Sequence, residues 1–590
     1  MPTSIIFKTL HAGLLASGVV GPILIAPAWH SEAASAAPVK ASHAPAPPEV
    51  YVDTRLTPPT GRTIQVKQGG DLQKALNEAK PGDAIVLQAG AVYTGPFTLP
   101  VKEGGQGWIT IESSDLRQLP QPGTRVSPAD AAHMPKLQAS YESVVRTAPG
   151  AGHYRLIGLE VRPGPPRTKL LGKVLEWLGG IGAADAADAP GAAFLENLMV
   201  FGSSDNDTLA SLPDHIIIDR CYLHGDPKIG ARRGIAMNAR GGAVIDSYIS
   251  DIKKVGEDAQ AISSWNGPGP YKIVDDYLEA AGENVMFGGQ DPSIKDLVPS
   301  DIEVRGNLFT KQLSWKSGAP GFQGSHWQIK NIFELKNAQR VLVEGNVFQY
   351  NWAQAQTGYS ILFTVRDQDG NAPWSVVQDV TFRDNVVAHV ANGVNILGND
   401  DNNHSQQAQR ILIANNLFED VGGSWGPGIL LLMDNGSQDV TFTHNTALQT
   451  GTLIYGDGKP DQGFIYTDNI GFQNQYGMIG TNHGPGLSSI NAFFPGAQLR
   501  RNAIIGASSS MYPSDNFFPH NLRAVGFAAA ADQDYRLLPG SAYKAEADDG
   551  GDIGVDMDEL CSAMGRYGAR LTRTVPSCQV KQQAMNHRHD

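Results

Sequence analysis

Lys336, Glu334, Glu283, Asp258 and Arg366 are the residues of this 590-residue chain whose types and spacing best combine into chemistry. They lie in or beside short segments that alternate as strands do: QAISSWN (260–266), ENVMFGG (283–289), NIFELKN (331–337), YSILFTVR (359–366) and GVNILGN (393–399). Alternation turns Ile235, Met237, Val285, Phe287, Phe333, Leu335, Ile361, Phe363, Val394, Ile396, Ile429 and Leu431 inward. Asn238, Arg240, Gln260, Asn284, Glu334, Lys336, Thr364 and Asn395 then face outward, with Glu283 and Arg366 at strand ends. Stacked strands bring equivalent positions to about 5 Å, so groups far apart in sequence can meet. Two reactions fit such a set. Elimination next to a sugar carboxylate needs that carboxylate neutralised by Arg or a cation, and a base to take the adjacent proton. Hydrolysis needs two carboxyl groups flanking the bond, which Asp258, Glu283 and Glu334 could supply. The plain alternative is a solvated Lys–Glu pair on a sheet face.

The elements that would hold these residues announce themselves by repetition. VRGNLF (304–309), VEGNVF (343–348), FRDNVV (382–387), IANNLF (413–418), FTHNTA (442–447), YTDNIG (466–471) and LRRNAI (499–504) share one pattern, with Asn307, Asn346, Asn385, Asn416, Asn445, Asn469 and Asn502 in register. Arg220, Asp246 and Asp276 are expected at the same place upstream, giving gaps of 24 to 39 residues. Asn tolerates the left-handed backbone of a sharp bend, and its amide can bond the next turn, so the expectation is a solenoid with an asparagine ladder. The variable gaps suit an all-β parallel β-helix with loops growing on one side, not a leucine-rich repeat or a propeller.

GGDLQKALNEAKPGDAIVLQAGAVYTG (69–95) resembles the start of right-handed parallel β-helix proteins of the pectate-lyase-like superfamily, with Leu72, Ala75, Leu76 and Ala79 on a helix capping the first coil. The resemblance runs over roughly 65–555, and the fold hosts many activities. FELKNAQRVLVEGNVF (333–348) is similar to the Lys-bearing strand and turn of the chondroitinase-B and alginate-lyase group. That resemblance places Lys336 on the group's catalytic lysine and Arg366 near its catalytic arginine, and it implies β-elimination of an acidic polysaccharide. The group's calcium-holding acidic pair has no counterpart at matching positions; Glu283, with Asp258, is the substitute expected for Ca²⁺. Glu334 completes the catalytic set, and Asn238, Arg240, Gln260, Trp265, Asn284 and Asn395 are the expected substrate contacts. The N-T-D, D-D, H-G and R-I-K signatures of polygalacturonase-like hydrolases are missing. Hydrolysis, and a solenoid that only binds glycans, remain open.

Composition sets the frame. A net charge of −13 argues against a broad grip on nucleic acid. Residues 1–36 read as an export signal ending at Ala34-Ser35-Ala36, and 37–64 as an Ala/Pro-rich linker. The β-helix is expected over 65–555, interrupted by an inserted loop and short helix at 165–195, with 556–590 capping the far end. No later stretch is apolar enough to span a bilayer. Cys561 and Cys578 could pair after export, and Cys221 sits in an apolar strand. The expectation is a secreted or periplasmic monomer.

Overall fold

Each turn of the chain lays down three short strands, and every one of them pairs in parallel with its equivalents in the turns before and after. The computed structural model describes residues 44–104, 107–166, 193–567 and 571–579. The expected export segment and most of the expected insertion lie outside them. A back sheet of 14 strands runs from Thr63–Val66 to Gln498–Arg500, a side sheet of 13 from Val92–Thr94 to Ala503–Ile505, and a front sheet of 12 from Phe97–Leu99 to Met478–Gly480. Ala338–Glu344, Val347–Asn351 and Tyr359–Thr364 are one such turn, contributing to back, side and front sheets in that order. The fold is a right-handed parallel β-helix.

One continuous apolar core fills the centre, from Leu72 and Leu76 at one end to Ile490, Phe493 and Phe494 at the other. Phe309, Phe348 and Phe382 stack at its waist, with ring centroids 4.4 and 5.6 Å apart. The helix Leu72–Glu78, capped by the Asp71 carboxylate on Lys74 N–H, buries Leu72, Ala75 and Leu76 in that core. At the far end the helix Leu487–Phe493 performs the same service. Phe493 lies against Gly456 and Gly480, where a Cβ would come within 2.6 and 2.2 Å of the ring.

At the bend between back and side sheets, the N–H of Asn307 donates to Asn346 Oδ1 (2.9 Å), Asn346 to Asn385 (3.0 Å), Asn385 to Asn416 (2.9 Å) and Asn416 to Asn445 (3.0 Å). The column runs on through Asn469 and Asn502 to Asn516. Upstream Asp276 stands where expected, while the register differs by one at the two turns before it. Cys221, Ser247 and Asp276 continue the column, while Arg220 and Asp246 hold the left-handed bend just before it, at φ 49° and 54°. The same offset holds downstream, where Gly306, Gly345 and Asp384 take the positive φ and the asparagines supply the side-chain bonds.

Both chain ends depart from the simple scheme. Residues 46–55 lie along the outside of the back sheet rather than forming a free linker. Ala46 N–H donates to Asp379, Glu49 N–H to Asp301, Val52 packs on Ile217 and Ala243, and Arg155 donates to the Thr54 and Arg55 carbonyls. The C-terminal helix Met557–Tyr567 is not an end cap either. It covers Val347, Val386 and Leu417 of the side sheet, with Tyr567 and Arg566 reaching Glu344. Cys561 and Cys578 form a disulfide, and Cys221 is buried, its thiol pushed up to about 12 by desolvation.

Candidate active site

The middle of the front sheet carries a cluster of charged side chains. Val285, Phe333, Ile361 and Val394 stack inward there, and Ser263, Met286, Glu334, Leu362 and Asn395 form the next column on the outer face. Two residues further along come Gly288, Lys336 and Thr364. Two residues before the inward row lies a column that strand alternation alone does not reveal: Arg233, Gln260, Glu283 and Asn331.

These residues form one connected set. Arg233 Nε donates to Gln260 Oε1 (2.8 Å), and Gln260 Nε2 donates to Glu283 Oε2 (2.8 Å). The Lys330 ammonium stands 2.9 Å from Glu283 Oε1 and 2.6 Å from Asp258 Oδ2. Gln328 gives Asp258 a further hydrogen bond at 2.7 Å. Lys330 is itself mostly buried; burial would lower its pKa, but Glu283 and Asp258 outweigh that and raise it. Burial likewise acts to raise Asp258, and Lys330 overcomes it, holding the carboxyl below its ordinary range. Beneath the set, the fully buried Lys311 ammonium donates to the carbonyls of Ala280 and Ala281 (3.0 Å each) and Asn331 (3.2 Å), fixing the backbone that carries Glu283 and Asn331.

Lys336 differs from its neighbours. Its nearest carboxylate is Glu334 at 3.7 Å, beyond hydrogen-bonding reach, and its side chain is 17% exposed. Gly288 and Gly289, both at positive φ, lie along its stem; a Cβ on Gly288 would sit 2.8 Å from Lys336 Cβ. Burial pushes the Glu334 carboxyl up, against the pull of Lys336 and with the push of Glu283. Glu334 Oε2, Ser263 Oγ and Asn395 Oδ1 have no partner at hydrogen-bonding geometry.

Several expected residues have other occupations. Arg366 follows Lys336 by one turn, its N–H donating to the Lys336 carbonyl, but its guanidinium is held by Asp400 (2.6 Å) and Asp401 (3.3 Å). Asn238 is buried, accepting from the N–H groups of Trp265 and Asn266 and donating to Gly202 O. Asn284 spends its amide on the Leu278 and Thr310 carbonyls. Trp265 sits in a turn, bonded through Nε1 to Ser204 and stacked under Arg233. Arg240 belongs to the back sheet, facing Asp214 at 3.6 Å, because the turn after Asn238 is too short to show in the sequence. Ile429 is half-buried rather than inward; Leu430, Leu431 and Met433 occupy the core.

Asp258 and Glu283 do not fit calcium. A calcium ion needs six to eight oxygens at about 2.3–2.6 Å, and the place between these carboxylates belongs to an ammonium. Among the described residues, the group of ligand-type side chains within 4.8 Å of one another is His153, Asp214 and His215, on the back sheet.

No protein-family model matches the chain, and no curated protein does. Among solved structures it is similar to the PL6 family alginate lyase AlyGC, at 12% identity and TM-score 0.47, over 84% of this chain and 57% of that one. It is similar to a mannuronic acid specific polysaccharide family 6 lyase from human gut microbiota, at 11% identity and TM-score 0.46, over 88% and 100%. It is similar also to the periplasmic alginate epimerase AlgG, at 11% identity and TM-score 0.39, over 75% and 83%. The chain spans little more than half the length of AlyGC.

Proposed function

We propose that the protein is an exported polysaccharide lyase that cleaves a uronate-containing polymer by β-elimination on the front sheet. The observation that carries this reading is Lys336: an amine flanked by a glycine pair on the outer face of the front sheet and left without a hydrogen-bonded carboxylate, while its neighbour Lys330 is fully engaged. In the reaction the Lys336 amine, as base, removes the proton on the carbon bearing the sugar carboxylate. The electron pair forms the C4–C5 double bond, the C4–O4 bond breaks, and O4 leaves with a proton. Glu334, its carboxyl raised by burial, is the donor at hand. Arg366 is assigned to the substrate carboxylate, with Asp400 and Asp401 fixing its direction and offsetting part of its charge.

Hydrolysis has one observation in its favour, since a buried, raised Glu334 would suit a general acid. It lacks a second free carboxylate, because Glu283 is wholly buried and shares Lys330 with Asp258. Export is consistent with the Cys561–Cys578 disulfide. No helix among the described residues is long and apolar enough to cross a membrane. The reading is tested with Lys336→Ala on a polyuronate that the unmodified protein cleaves. Turnover should fall about 10²–10⁴-fold with affinity retained; near-normal turnover removes Lys336 from the mechanism.

A further inference from the structure

We propose that the Lys330 ammonium is the resident cation of this site, a tethered charge standing between Asp258 and Glu283 where an oxygen-rich pocket would otherwise call for a divalent metal. This rests on the lyase reading for its use in catalysis, though not for the binding chemistry itself. Two carboxylates converge on one ammonium: Asp258 at 2.6 Å and Glu283 at 2.9 Å. Glu283 is wholly buried and Glu334 nearly so. Buried carboxylates at that density require a compensating cation. Lys336 and, through Gln260, Arg233 lie at the margin, and Lys311 lies beneath with its ammonium spent on backbone carbonyls. Only Lys330 reaches two of the carboxylates directly.

Around it are oxygens without full employment. Glu283 Oε1 meets nothing but Lys330, and Glu334 Oε2 and the Asn331 amide lack partners at hydrogen-bonding geometry. Shortening Lys330 therefore exposes a set of hard oxygen ligands of the kind calcium takes. The structure thus predicts a protein indifferent to calcium that one substitution converts into a calcium binder.

The experiment uses the mature chain stripped with a chelator and titrated with Ca²⁺ alone, or with Tb³⁺ as a luminescent substitute, reading the thermal midpoint and the binding isotherm. The unmodified protein should show no calcium-dependent rise in midpoint. Lys330→Ala should melt several degrees lower in chelator and recover in calcium, with a Tb³⁺ signal that the Lys330→Ala/Glu283→Gln double variant loses. Calcium binding by the unmodified protein that Glu283→Gln abolishes would overturn the proposal. So would a folded Lys330→Ala that ignores calcium. If Lys330→Ala does not fold even with calcium present, the carboxylates do not form a metal pocket and the proposal fails. A protein that cleaves no polyuronate would sink the lyase reading while leaving these titrations to decide the role of Lys330.

Discussion

Lys336 and Lys330 are six residues apart in sequence, and their surroundings give them opposite jobs. One ammonium is closed between carboxylates at 2.6 and 2.9 Å; the other has its nearest carboxylate at 3.7 Å. Removing the first should cost fold stability, and removing the second should cost chemistry. Lys336→Ala is accordingly expected to shift the unfolding free energy by no more than about 1 kcal/mol, measured by chemical denaturation, while abolishing most turnover. The carboxyls give a pH signature of mixed sign. Asp258 is depressed in the folded state, so its contribution is present above its unfolded value near 3.9 and is lost as pH falls through the lower folded value. Glu334 is raised, so its ionised form costs stability at neutral pH. That cost is relieved as pH falls through the raised value toward its unfolded pKa of about 4.3. Glu334→Gln should therefore be at least as stable as the unmodified protein at pH 7, with the advantage shrinking between neutrality and the unfolded pKa. Denaturation midpoints across that window check it, and a Glu334→Gln protein clearly weaker at pH 7 would show that the carboxylate is stabilising.

At the scale of elements, the asparagine column is the seam that keeps successive turns in register. Asn346 Oδ1 accepts from the N–H and the amide of Asn307, so Asn346→Ala strands buried donors and should cost about 1–3 kcal/mol. A midpoint unchanged in denaturant would make the column ornamental. The seam is legible in the sequence from Asp276 onward because a carboxylate and then seven asparagines repeat the same acceptor chemistry at the same place. Upstream, Ser247 and Cys221 do the job with a hydroxyl and a thiol-bearing residue, and nothing in their types marks them as equivalents. Arg240 lies on a different sheet from the one alternation predicts for a related reason: a two-residue turn at Asn238–Ala239 moves it, and alternation carries no sign of so short a bend. Alternation counted from Phe333 also hides Lys330, which precedes the strand Phe333–Leu335. Counting two places back from each inward row would have found Gln260, Glu283 and Asn331 in one column and brought Lys330 with them.

For the molecule as a whole, a parallel solenoid must finish its ends and guard its flanks. Helices do the first, with Leu76 at one end and Phe493 at the other reaching the common core. The outer packing of residues 46–55 and 557–567 does the second. The disulfide ties the latter segment over a 17-residue separation, for which a loop-closure estimate gives about 3 kcal/mol. Replacing Cys561 and Cys578 by serine should loosen that segment to proteolysis while leaving the front sheet and its activity intact; loss of activity would show that the C-terminal helix holds the active turns in place. The kind of bond cleavage the front sheet performs decides its function. The most direct test is to incubate the mature protein, without added metal, with a panel of polyuronates and neutral glycans and follow ultraviolet absorbance and reducing ends together. For β-elimination both should rise in step on a polyuronate, marking an unsaturated uronate at each new end. Reducing ends that appear without the absorbance would contradict it and assign the site to hydrolysis.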